Sequence, residues 1–521
     1  MTRIVLAFSA LLAVLVLPFV ARSRRPVDGA SGQAAERLVI ITPHNEPVRF
    51  EFDLGFREHM AREGRRIEID WRRPGGTAEI GRFLTSEYTA AFQRHWTEDL
   101  GRPWSAKVAA AFMNPALSPG ASPTDEAGAA RQAFLASQVS AGLDLLFGGG
   151  SFDHTRHARA GRLVDSGVVA AHPELFGPQL IPNTLGGQVL WDSEGRWIGN
   201  CLATFGMCFN RDVLARLGVE PPATWDALAD PRLLGQVALA DPSKSGSAGK
   251  AFELIIQAAM QRAGVVEGWA QAMRLIRRIG GNARYFTDSS AKVALDVTSG
   301  DAAAGMCIDF YGRFQGETVA ALGQGRRVGY AAARGETAPD ADPISLLRGA
   351  PHRALAIRFI EFVLSDEGQK LWSFRPGTPG GPRRYGLSRL PIVPRLYGSA
   401  FDRDRLELGE NPYDQTGRLE YREALTGRLF GAITFVVRAM CVDTEPELRE
   451  AYGALAAAGF PPQATALFDD VTLIDHATVS GPILEALRAA DPLPEAAWAR
   501  RLVTHFRDLY RRTTALARAG R

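Results

Sequence analysis

The residues best suited to chemistry gather at a few points in the chain, and the richest is the run Ala240-Asp241-Pro242-Ser243-Lys244-Ser245-Gly246-Ser247. A short apolar segment, 237–240, precedes it and a long segment with helical periodicity follows from Ala248, so the hydroxyls and the glycine stand where a strand gives way to a helix. Free N–H groups and the positive dipole end of such a helix attract negative charge, which makes Ser243, Ser245, Gly246 and Ser247 candidate contacts for an anion. Plain serine capping without a ligand is the alternative. His44, Asn45 and Glu46 directly follow the apolar run 37–42. They either project into a shared cleft or form a hydrogen-bonded loop in which Glu46 sits favourably at a helix start.

Thr77 follows Arg72-Arg-Pro-Gly-Gly76 and reads as a helix cap, while Gly148-Gly-Gly150-Ser151 ends an apolar strand and offers backbone N–H groups at its C-terminal edge. Thr77, Gly150 and Ser151 are therefore further ligand candidates, with Asp309 and Tyr311 completing the pocket. Basic residues near these loops, Arg72, Arg73, Lys244, Arg284 and Arg313, suit a phosphate, phosphonate or carboxylate better than a cation. Tyr311 and Trp191 are rings for stacking or for a core. Asp153, His154 and His157 resemble a metal-ligand cluster, but they read as a loop with exposed histidines. There is no G-x-S-x-G elbow, P-loop or HExxH, and Val328 replaces the third glycine after Gly323-Gln-Gly325. No catalytic residue, resident metal or cofactor is expected.

The elements that position these residues alternate. A strand at 37–42, a helix with Pro47 in its first turn and Phe52, Phe56 and Met60 on one face, and a strand at 66–71 give β-α-β order and hence a parallel sheet. The stretch 114–128, rich in Pro, Ala, Ser and Gly, reads as an insertion loop. Strand and helix alternate again from 206 to 309 as a second α/β lobe, and 352–372 is an amphipathic helix broken near Ser365. The expected division is 36–150 with about 335–375 in one lobe, 151–334 with about 376–398 in the other, and a mainly helical extension over 399–521. A chain of 521 residues exceeds what one core usually supports.

Positive charge at Arg3 and the uncharged apolar run 4–21 mark export, and Arg22, Arg24 and Arg25 leave open whether the segment (1–25) is a cleaved signal or a membrane anchor. The 60 basic and 57 acidic residues nearly cancel, which argues against a nucleic-acid binder. Cys201 and Cys208 would lie roughly 23 Å apart in one extended strand, so buried thiols are expected unless a turn near Gly206 allows a bridge.

Four stretches resemble the bacterial extracellular solute-binding proteins of ABC transporters, in the branch of ferric-iron, putrescine-like, thiamine and sugar-phosphate receptors. They are Phe205-Gly-Met-Cys-Phe-Asn210 with Pro222 and Thr224-Trp225, then 240–247, then Gly305-Met-Cys-Ile-Asp-Phe-Tyr-Gly312, and finally 354–372 with Gly377-Thr-Pro379. The resemblance implies an α/β, two-lobed type II periplasmic-binding-protein architecture with crossing hinge strands. It implies a receptor that captures a small solute by hinge closure and passes it to permease subunits in the inner membrane, and the basic residues named above make the expected solute anionic. Iron receptors of this branch add paired tyrosines to a His or carboxylate. Here Asp309-Phe310-Tyr311 offers one tyrosine, so His44, Glu46 and Tyr311 form only an incomplete iron set. The rival readings are a membrane-tethered ligand sensor and a metal-dependent periplasmic hydrolase.

Overall fold

A computed structural model describes residues 35–117, 125–406, 411–489 and 491–521. The N-terminal run 4–21, and with it the choice between signal and anchor, lies outside the described residues, as does the middle of the 114–128 loop. Glu36–Ile41 (β1) is apolar and β-branched toward its end and pairs in parallel with Ile67–Arg72 (β2), Glu36 opposite Ile67 and Ile41 opposite Arg72. Between them runs helix Glu46–Ala61 (α1), capped by the Asn45 side chain, which accepts from Val48 N–H, with Phe52, Phe56 and Met60 buried on one face. Thr77–Arg94 (α2) follows. Its cap is Gly76 rather than Thr77, and the Glu79 carboxylate accepts from the Gly76 N–H at 3.1 Å.

After helix Glu126–Ala136 (α3), Leu145–Phe147 (β3) adds to the far side of β1, and Ser151–Arg159 (α4) springs from the glycine turn. Leu163–Val164 (β4), the hairpin Thr184–Leu185 (β5) and Gln188–Val189 (β6), and Ile198–Ala203 (β7) complete this side of the molecule before the crossing. Gly186 and Gly187 both have positive φ, which the two-residue hairpin turn requires.

Thr204 alone separates β7 from Phe205–Asn210 (β8), which belongs to a different sheet. The expected boundary at 150 therefore falls at Thr204. The second lobe continues through Arg211–Leu217 (α5), Val237–Ala240 (β9), Gly246–Ala263 (α6), Val265–Gly281 (α7), Ala283–Thr287 (β10), Ser290–Ser299 (α8), Ala304–Ile308 (β11), Asp309–Ala321 (α9) and Val328–Ala332 (β12). Its five strands run in the order β10-β9-β11-β8-β12. The chain then crosses back into Asp340–Leu347 (β13), which inserts between β3 and β7 in the first sheet.

Helices Arg353–Leu364 (α10) and Asp366–Ser373 (α11) break at Ser365, whose hydroxyl caps the second, and Leu390–Pro391 (β14) pairs with β7. Residues 376–398 thus join the first lobe, not the second. The first sheet reads β14-β7-β13-β3-β1-β2, with β4 beside β13.

The remaining helices, Phe430–Val437 (α12), Glu445–Ala457 (α13), Pro462–Phe468 (α14) and Leu493–Arg518 (α15), do not stand apart. They share one apolar core with α6 and α7 of the second lobe. Gly280 and Gly281 on α7 let Cys441 and Tyr452 approach where a Cβ would lie 2.9 and 2.6 Å from them. Among the described residues one helical run, Glu423–Val442, is long and apolar enough to span a membrane, yet Leu429, Ile433, Val436 and Val437 are buried in this core. All four cysteines are free and buried. Cys201 and Cys208 lie on β7 and β8, which run on through Thr204 without a turn, so the local bridge does not form.

Candidate functional site

The two lobes enclose a cleft of about 420 Å³. Five residues that immediately precede helices line it: Gly76 and Gly150 ahead of α2 and α4 in the first lobe, and Ser245, Ser289 and Ile308 ahead of α6, α8 and α9 in the second. Each helix turns the positive end of its dipole toward the same space, although at α9 the first two N–H groups are already taken, Asp309's by the Thr204 carbonyl at 2.9 Å and Phe310's by the Asp309 carboxylate at 2.7 Å. At the rim the lobes nearly touch. A Cβ on Gly76 would lie 3.3 Å from the Lys244 carbonyl oxygen, and one on Gly246 would lie 3.2 Å from Thr77 Oγ1.

Charge within the cleft is divided by whether it is already engaged. Asp342 holds Arg389 in an ion pair and accepts from Gly149 N–H at 2.8 Å, and Asp340 accepts from the Ser151 hydroxyl at 2.8 Å. Burial raises the pKa of both carboxyls. Glu79 is taken up by Gly76 and Arg82, and Asp153 by Arg156. Among the described residues Arg73 and Lys244, both exposed at the mouth, have no ion-pair partner, and Asp288 is the one lining carboxylate left without a partner. Deeper in, Lys250 is buried against Glu253 at 3.0 Å, and the Arg389 guanidinium stacks 3.7 Å from the Phe310 ring centre while its Nη1 has no acceptor.

His44 lies at the base, edge-on to Phe147 at 4.9 Å, with Nε2 buried and unpartnered. Burial, reinforced by Arg389 and Arg49, lowers its pKa well below the usual histidine value, so it is a neutral ring. Gly148, at φ +92, makes this packing possible because a Cβ there would stand 2.3 Å from His44 Nε2.

Of the residues singled out from sequence, His44, Thr77, Gly150, Ser245, Gly246, Ser247 and Tyr311 line the cleft. Ser151 reaches it only through Asp340. Asn45 is spent on capping α1, Glu46 is exposed on its first turn, and Ser243 folds back on Asp241 at 2.7 Å. The helix behind the serines starts at Gly246, two residues before the expected Ala248, which makes Ser245 its cap.

Asp309 does not line the cleft. Its carboxylate accepts from the N–H and hydroxyl of Thr204 at 3.0 and 3.2 Å and so pins the hinge crossing. The exposed loop expected at Asp153, His154 and His157 is instead the helix α4. His154 is buried between the Ser345 hydroxyl, 2.6 Å from Nδ1, and the Gly148 carbonyl, 3.2 Å from Nε2, and His157 is buried as well. Among the described residues no three His, Cys, Asp or Glu side chains gather as a metal site. Of the other residues weighed, Trp191 packs on Phe176 and Arg313 is buried beside Asp309, both outside the cleft lining.

Sequence reasoning missed Asp340 and Asp342, although two aspartates two residues apart in an apolar strand share one face and were legible on that ground. It also missed Lys250, Phe152, Phe310, Arg389 and Phe430, which carry no local signal.

Residues 143–382 match the model of a family described as bacterial extracellular solute-binding protein. The architecture is two α/β lobes joined by crossing strands, with a helical C-terminal region packed on the second lobe. Among curated proteins, the chain is 25% identical over 239 residues to an uncharacterized protein of Haemophilus influenzae, covering 45% of this chain and 62% of the relative. It is 27% identical over 200 residues to the phosphoglycerate transport regulatory protein PgtC of Salmonella typhimurium, covering 37% of this chain and 46% of the relative. The chain thus spans about half of the curated relatives it matches.

Among solved structures, the periplasmic binding protein AfuA from Actinobacillus pleuropneumoniae with fructose-6-phosphate bound is similar at 17% identity, TM-score 0.48, over 76% of this chain and 98% of that one. Iron-bound HitA from Pseudomonas aeruginosa is similar at 14% identity, TM-score 0.48, over 77% and 99%.

Proposed function

We propose that this protein is an extracytoplasmic receptor that closes its lobes around a compact anionic solute bearing a phosphate, phosphonate or carboxylate, and delivers it to an ABC permease in the inner membrane. The observation that carries the reading is the convergence of five helix N-termini on one closed space, with Arg73 and Lys244 unpaired at its mouth. The carboxylates there are mostly occupied by protein donors, so the remaining electrostatic demand is for negative charge. Binding rather than chemistry fits the site, since its one lining histidine is buried against the Phe147 and Trp372 rings.

The name of the PgtC relative supports a phosphorylated solute, and its regulatory role gives weight to a second reading, a tethered ligand sensor. Fractionation of cells separates the two: a receptor released by osmotic shock is free in the periplasm, whereas one retained with the membrane is tethered.

Thermal-shift measurements with inorganic phosphate, 3-phosphoglycerate, fructose 6-phosphate and ferric citrate test the ligand class. A phosphate compound at a hundred times its Kd is expected to stabilise by about 2.7 kcal/mol. Arg73→Ala combined with Lys244→Ala should weaken that binding and flatten its salt dependence. Stabilisation by ferric citrate alone, lost in His44→Ala and Tyr311→Phe, would replace the anion with iron.

A further inference from the structure

The segment after the first lobe ends is more than a link to the C-terminal helices. Tyr413 donates to the carbonyl of Ile392, still on the first lobe, and its ring packs on Tyr397 at 5.7 Å. Gln415 and Gly417 then pass beside Gly186 and Gly335, close to the second hinge crossing. At Tyr421 one residue holds both lobes. Its N–H donates to the Gly186 carbonyl at 2.8 Å in the β5–β6 hairpin, which belongs to the first lobe's core, while its hydroxyl donates to Glu253 at 2.8 Å on α6 of the second lobe.

Gly187 has no room for a Cβ there, which would stand 1.9 Å from the Tyr421 carbonyl oxygen. Helix α6 grips the next turn as well. Gln257 donates to the Arg422 carbonyl and to Thr426 at 2.8 Å each, Gln261 donates to the Glu420 carbonyl at 2.8 Å, and Thr426 donates to Glu253 at 2.7 Å. Lys250 completes the cluster, 3.8 Å from the Tyr421 ring centre and 3.5 Å from Gln188 of the first lobe.

The tie ends inside the cleft. Phe430, the first residue of α12, lines it and meets Phe152 of α4, in the opposite lobe, at 4.3 Å between ring centres. Gly249 on α6 makes the seat, since a Cβ there would lie 2.9 Å from the Phe430 ring.

We propose that residues 411–430 are a third interlobe connection, a strap that restrains hinge opening through Tyr421 and the Phe430–Phe152 contact. Two crossing strands alone leave a hinge free to swing; a third tie bonded along α6 and to the first lobe's hairpin must stretch or release before the lobes part. The polar cluster at Tyr421 is buried, with Tyr421 and Thr426 donating to Glu253 and Lys250 ion-paired to it, and opening must break the Tyr421–Gly186 and Lys250–Gln188 hydrogen bonds that cross the lobes, which costs free energy.

The strap is tested in the ligand-free protein, independently of what the cleft binds. Nitroxides are placed through Glu68→Cys on β2 and Arg216→Cys on α5 in a chain whose four native cysteines are alanine, and interlobe distances are measured by pulsed electron resonance. Tyr421→Phe and Phe430→Ala are each expected to broaden the distribution toward longer distances, and Tyr421→Ala with Thr426→Ala to do so further. Circular dichroism and gel filtration confirm that each variant is folded, and if the double variant unfolds the two single ones decide. Distributions identical to the parent in folded single variants would overturn the strap.

Discussion

At the scale of single residues, the histidines show how burial decides role. His154 is held by a carbonyl at Nε2, which can only accept, so that nitrogen carries the proton and Nδ1 accepts from the Ser345 hydroxyl. Burial lowers its pKa to about 4. A histidine whose folded pKa is depressed contributes stability that is present above its ordinary value near 6.5 and is lost as pH falls toward 4. The difference between those values corresponds to about 3 kcal/mol. His154→Gln should therefore flatten the fall in thermal midpoint between pH 6.5 and 4, and an unchanged slope would show that another group dominates. Gly148→Ala should destabilise the protein by more than about 2 kcal/mol in thermal denaturation, because positive φ and contact with His44 both oppose it. From sequence, the hydroxyl-rich run was legible as a helix start, but whether a given side chain faces the cleft was not. Ser245 and Ser247 line it while Ser243, in the same run, turns back on Asp241.

At the scale of elements, the first lobe uses an arrangement that no sequence pattern announces. Arg131 and Arg348 are buried with no carboxylate in reach among the described residues, and each caps the carbonyl end of a helix. Arg348 donates to the carbonyls of Leu135, Ser137 and Gly161, and Arg131 to those of Phe112, Arg159 and Ala160. The negative ends of α3 and α4 supply the counter-charge. Arg348→Met keeps much of the volume but orphans three carbonyls, so a loss of about 3 kcal/mol is expected on thermal unfolding. Helix and strand identity, by contrast, were readable from periodicity. Phe52, Phe56 and Met60 mark the buried face of α1, and Ser365 marks the break between α10 and α11. Those signals are local, and local backbone preference and tertiary packing agree there.

At the scale of the whole molecule, the helical tail is part of the second lobe's interior. Trp269 on α7 donates to the Ile474 carbonyl at 2.8 Å, and the fully buried Arg277 lies over Phe506 at 5.3 Å and donates to the carbonyls of Phe468 and Asp470. A chain ending before residue 423 would expose that face of α7, and it is expected to aggregate or lose its near-ultraviolet dichroism rather than leave a smaller folded protein. A soluble, cooperatively folding truncation would show that the extension is an independent domain.

The sequence by itself determined the order of strands and helices, the alternation that builds two α/β lobes, and the concentration of hydroxyls and glycines at a helix start, because these follow from periodicity and backbone preference over a few residues. Only the tertiary structure decided that the first lobe runs to Ala203 and recovers 376–398, that Asp309 serves the hinge, that His154 and His157 are interior, and that Arg389 and Phe430 reach the cleft. Each of these depends on contacts between residues far apart in the chain. Asp309 and Thr204, for instance, meet across 105 positions. Which side chain shares a space with which is set by how the sheets cross and pack, and no run of neighbouring residues encodes it.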